Sequence, residues 1–70
     1  MIIKIKKHII PYFDNKKNNP YGIIEIIENG KIYTRKYDLG INNKYIINNK
    51  KYELIFIGSL YKPAFELKEC

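Results

Sequence analysis

Tryptophan is absent from this chain, and cysteine, histidine and arginine each occur once, as Cys70, His8 and Arg35. Each scarcity removes a class of function. A single cysteine cannot form an internal disulfide, and no Cys/His pair stands at metal-ligand spacing. General acid–base work needs a partner group within hydrogen-bond reach, and a nucleophile needs an activating base beside it. His8 follows Lys6 and Lys7, and Ser59 lies in a Gly-Ser turn. Neither has such a neighbour in sequence. The four glycines are scattered, with none in the order of a phosphate loop. The seven acidic residues form no cluster suited to a divalent cation. The expectation is a non-enzymatic protein with no metal and no cofactor.

Long apolar runs are missing too. Lys4, Lys6 and Lys7 break up the first isoleucines before a secretory core of about 7–15 residues can form. No stretch approaches the roughly 18 residues that cross a membrane. With no cysteine framework, a reducing cytoplasm is the expected compartment and no membrane is the expected partner. Helical patterning is lacking as well: nowhere do apolar residues recur at i, i+3, i+4 and i+7 without Gly, Pro or a β-branched run intervening.

What remains is isoleucine, lysine, asparagine and tyrosine, which supply 42 of the 70 residues. One domain, residues 1–70, is the most this length allows. So small a domain buries only about 60% of the surface that its unfolded chain exposes. Disulfide and metal being excluded, self-association is the expected supplement, and a homo-oligomer is expected. The net charge of +6 points to an anionic partner. Lysine is also an AT-rich-codon residue, so part of the excess is open to a compositional explanation. Arg35 is not explained that way.

Residues 2–10 alternate as a strand, with Ile3, Ile5 and Ile9 on one parity and Lys4, Lys6 and His8 on the other. Residues 11–20 are a polar loop bracketed by prolines. The clearest element follows. Asn29-Gly30 separates YGIIEIIE from KIYTRKY, and both central positions of a type I′ hairpin turn need positive φ. A two-residue turn fixes the register, so Ile26 faces Tyr33, Ile24 faces Arg35 and Gly22 faces Tyr37. Isoleucine on both faces suggests a hairpin covered on both sides, by the rest of a barrel or by a second chain. Further short strands are read at residues 45–47, 51–57 and 64–68, with Asn48-Asn49 and Gly58-Ser59 as breaks. The fold class is therefore all-β: a small barrel of five to six short antiparallel strands, SH3-like as first choice and OB-like as second.

Two segments could bind a ligand. Tyr33, Arg35 and Tyr37 share one strand face, where rings could stack on bases and an arginine fork could grip phosphate. Tyrosine is also an ordinary strand residue, and Arg35 could simply lie along Ile24. Lys16, Lys17 and Asn18 in the long loop could close over such a platform, or form only a solvated loop. The expected function is a binding module for a phosphate-bearing ligand: a nucleotide, a cyclic oligonucleotide signal or single-stranded nucleic acid. By gene type alone, short β-rich chains without enzymatic motifs suggest phage or mobile-element accessory proteins that counter host defence. The alternative is a protein-interaction module or inhibitor that docks on another protein through a strand edge or an apolar patch.

Overall fold

The computed structural model describes residues 1–11 and 19–70. They form six antiparallel strands and no helix: β1 (Ile2–Ile9), β2 (Tyr21–Glu28), β3 (Lys31–Asp38), β4 (Lys44–Ile47), β5 (Lys50–Phe56) and β6 (Phe65–Glu69). The chain makes two three-stranded meanders, β1-β2-β3 and β4-β5-β6. Closure into a barrel, whether SH3-like or OB-like, is not seen among the described residues. The two ladders are hydrogen-bonded separately.

Turn chemistry sets both central hairpins. Asn29 and Gly30 adopt φ of 51° and 77°. Asn48 and Asn49 adopt 52° and 64°. Both are thus two-residue turns with positive φ at each position, whose twist matches that of the flanking strands. The β2–β3 ladder runs from Glu28↔Lys31 through Ile24↔Arg35 to Tyr21↔Asp38, in the register that the Asn-Gly turn implies. In the second sheet Tyr45 faces Tyr52, Leu54 faces Leu67 and Phe56 faces Phe65.

These registers put one apolar face of each sheet against the other. Ile24, Ile26 and Tyr37 from the first sheet are buried with Ile47, Tyr52 and Leu54 from the second. Ile3, Tyr33, Leu39, Tyr45, Phe65 and Leu67 pack around them. Every buried residue is apolar or tyrosine, and no buried side-chain polar atom among the described residues lacks a partner. The inner face of the hairpin is therefore covered within the chain. Its outer face keeps Ile32 61% exposed.

β1 departs from simple alternation. It pairs with β2 as Ile3↔Ile26 and Ile5↔Ile24, and then as Lys7↔Ile23, His8↔Gly22 and Ile9↔Tyr21, with a bulge in between. One extra residue in a strand flips every later side chain to the other face. His8 thereby joins the inner face, and Ile9 moves to the outer one beside Tyr21. The expected parity of β1 holds up to Ile5 and is corrected beyond it.

Gly22 lies between His8 and Tyr37 in that cross-strand row. A Cβ there would stand 1.9 Å from the Lys7 carbonyl oxygen and 2.6 Å from the Tyr37 hydroxyl. Backbone as well as side chain would have to move. Gly22→Ala should therefore lower stability by about 3 kcal/mol, at the upper end of the overpacking range. Chemical denaturation checks this, and an unchanged midpoint would show that the crowding is not real.

Candidate functional site

His8 is half-buried, and both of its ring nitrogens are engaged. Nε2 lies 2.8 Å from the Leu60 carbonyl, which can only accept, so Nε2 carries a proton. Nδ1 bonds the Tyr37 hydroxyl. In the neutral ring that hydroxyl donates to Nδ1. In the imidazolium Nδ1 donates instead, and the hydroxyl turns to the Lys7 carbonyl 3.2 Å away. Either form finds its partners. The Tyr37 ring stacks near the imidazole with 5.8 Å between centroids and meets Phe65 of β6 at 4.7 Å. His8 is thus a clasp between β1, β3 and the β5–β6 connection, and its expected place on the face of Lys4 and Lys6 is corrected. A signal was present: the Lys6-Lys7 doublet breaks the alternation where the bulge falls.

Tyr33, Arg35 and Tyr37 do share one face, and it is the inner one. Tyr37 is only 3% exposed. The Arg35 guanidinium donates to the Thr34 carbonyl at 2.9 Å and, across the gap to β4, to the Ile46 carbonyl at 3.4 Å. It also sits 5.7 Å from the centre of the Tyr33 ring. Tyr37 is thus turned to His8 and Phe65, while Arg35 fastens β3 to β4. Tyr45 adds to that seam by donating its hydroxyl to the Lys36 carbonyl at 2.5 Å. Lys16, Lys17 and Asn18 lie outside the described residues.

A cleft of about 590 Å³ lies elsewhere, on the outer face of the first sheet. That is within the usual size of small-molecule sites. In register across its floor stand Lys7, Ile23 and Lys36. The next row brings Tyr21, 45% exposed, beside Asp38. Asn43 closes one wall, but its amide is already used: Oδ1 accepts the Asp38 N–H at 3.1 Å, and Nδ2 donates to the Asp38 and Ile41 carbonyls. Asp38 accepts the Gly40 N–H at 2.8 Å. The Lys7 and Lys36 ammonium groups, which make no ion pair among the described residues, and one half-exposed ring are left to meet a ligand over an isoleucine floor. β1 ends and β2 begins at this same end of the sheet. Sequence reasoning did not single out Lys7 and Lys36, since only the long-range pairing of β1 with β2 brings them into one row.

Among the described residues no group of His, Cys, Asp and Glu could hold a metal ion, and no helix is long and apolar enough to cross a membrane. Comparison with known protein families, with curated proteins and with solved structures returns no match to this chain.

Two tyrosines titrate away from their ordinary range near pH 10. Burial raises the pKa of Tyr37. Tyr45 is pushed up to about 12, chiefly by burial; the Arg35 charge opposes this and Tyr37 adds to it. The folded chain thus holds the Tyr45 proton where the unfolded chain has lost it. The associated stability is fully present below pH 10 and is lost as pH rises from there to about 12. Melting temperature should fall across that window more steeply in the wild type than in Tyr45→Phe. Parallel melting curves of the two would contradict the assignment.

Proposed function

We propose that this chain is a non-enzymatic binding module for a phosphate-bearing ligand, held in the cleft over Lys7, Ile23 and Lys36. The observation that carries the proposal is the row itself: two exposed lysines flank an isoleucine in register, with a half-exposed tyrosine in the next row. Lysine ammonium groups supply point charges for phosphate. Tyr21 offers a ring face to a base, a contact worth about 1–3 kcal/mol where bases stack on aromatics. The apolar floor excludes water from beneath the ligand. A nucleotide, a cyclic oligonucleotide signal or a short single strand all present that combination. Arg35, bonded to two carbonyls, acts in this account on stability and not on the ligand.

A protein-docking role is the second reading, and one observation favours it. Ile2, Ile27 and Ile32 form an outer-face row near the hairpin tip, with Ile2 58% and Ile32 61% exposed. Salt separates the two. Phosphate binding weakens steeply with added salt, whereas docking through an apolar row does not.

Calorimetric titration with nucleotides, cyclic dinucleotides and short single strands at low and high salt tests the proposal. A charge-assisted hydrogen bond is worth about 1.5–3 kcal/mol. Lys7→Ala combined with Lys36→Ala should therefore weaken binding at least about tenfold, while Lys50→Ala and Lys51→Ala, at the far turn, should change little. Arg35→Lys should shift the melting temperature and leave affinity alone. No binding to any of these ligands, or equal affinity in the wild type and the doubly substituted protein, would overturn it.

A further inference from the structure

The two seams of the sandwich differ. Along β3 and β4 the sheets are stitched by Arg35 and Tyr45. Along β1 and β6 no such bond occurs among the described residues. A cleft of about 290 Å³ opens there instead, lined by Met1, Ile3, Tyr52, Phe65, Glu66 and Leu67. β6 ends its sheet, so one side of its backbone has no ladder partner.

Which backbone groups face that free edge follows from the ends of the β5–β6 ladder. Ile57 donates to the Ala64 carbonyl and Cys70 donates to the Lys51 carbonyl, both at 2.9 Å. Antiparallel bonding alternates along a strand. Ala64, Glu66, Lys68 and Cys70 therefore bond inward to β5. Phe65, Leu67 and Glu69 turn their N–H and C=O groups outward.

An isologous antiparallel partner must set outward residues against outward residues. Three registers do so with more than one outward residue of β6 engaged. Centring the twofold on Glu66 opposes Glu66 to its own copy. Centring it on Lys68 opposes Lys68 to its own copy. Centring it on Leu67 opposes Leu67 to Leu67, Phe65 to Glu69 and Glu66 to Lys68. Only this last register pairs opposite charges, and it pairs them twice by symmetry. Opposite charges directly across a ladder stabilise it, and like charges destabilise it. The neighbouring free edge has no such solution: antiparallel self-pairing of β1 centred on Ile5 sets Lys4 against Lys6, and centring on either lysine opposes it to itself, a pattern that blocks edge-to-edge association.

From this we infer that a second copy of the chain pairs with β6 about Leu67, giving a homodimer with one continuous six-stranded sheet across the twofold. Leu67, Phe65 and Glu69 of each copy exchange backbone hydrogen bonds. The inward side chains of the incoming strand, Leu67 foremost, fill the cleft over Ile3 and Met1. Glu66 and Lys68, both exposed, lock the register on the outer face. This dimer does not depend on the ligand cleft, which lies on the other sheet.

Native mass spectrometry and light scattering at high micromolar concentration read the result. The wild type should be a dimer. Glu66→Lys and Lys68→Glu each turn both attractive pairs into repulsive ones, and each should weaken dimerisation about tenfold or more. Mixing these two variants restores opposite charges at both pairs, so they should form a mixed dimer although neither dimerises well alone. The chain carrying both substitutions should dimerise like the wild type. Glu66 is exposed and faces Ile55, so Glu66→Lys should leave thermal melting of the monomer unchanged, whereas Lys68→Glu also opposes Glu53 within the chain and should lower it slightly. A monomeric wild type would overturn the inference. So would a dimer indifferent to both charge reversals, or one weakened instead by Ile32→Lys, which would place the contact on the hairpin's outer face.

Discussion

One hydrogen-bonded group joins β1, β3 and the β5–β6 connection: the His8 imidazole, bonded on one side to the Tyr37 hydroxyl and on the other to the Leu60 carbonyl. Three features must coincide for it to exist. The bulge in β1 must turn His8 inward. The Asn29-Gly30 turn must bring Tyr37 opposite Gly22. Gly22 must lack a side chain, so that the bond can pass over it. Each is a local choice of residue, and each would be neutral or costly without the other two. Such mutual dependence is what gives a short sequence a single preferred structure.

The need for a clasp follows from size. Among the described residues the buried core comprises six side chains, three from each sheet. A core this thin leaves little surplus over the entropy of ordering the chain. Polar groups at the rim therefore take over part of the task of holding the sheets in register: His8 at one corner, Arg35 and Tyr45 along the β3–β4 seam. The β1–β6 seam is the exception. Among the described residues it carries no stitch, and the edge beside it is the one whose charges suit a second copy of the same strand.

Much of the fold was legible in the sequence, for a physical reason that also marks the limit. A two-residue turn fixes pairing by geometry, so the whole β2–β3 register followed from Asn29-Gly30. The short strands read at residues 45–47, 51–57 and 64–68 likewise form, as β4, β5 and β6. A bulge obeys no period. The Lys6-Lys7 doublet was its sole trace, and the roles of His8 and Ile9 changed with it. Periodicity placed Tyr33, Arg35 and Tyr37 on one face. It could not say which face meets the second sheet, because isoleucine occupies both. The ligand cleft was less legible still. Lys7 and Lys36 are far apart in the chain and become neighbours only through Ile23 between them. Barrel closure, inferred from strand count, depends on contacts between sheets that no local pattern encodes.

A double-mutant cycle on His8 and Tyr37 tests the central claim most directly. His8→Ala removes the ring, Tyr37→Phe removes only the hydroxyl, and the two are combined in a third protein. Unfolding free energies of the four proteins give the coupling between the groups. A clasp of the kind described should show a coupling of about 1–3 kcal/mol, in the range of residues that share one hydrogen-bond network. Losses that simply add, to within about 0.5 kcal/mol, would show that the two sheets are held without it.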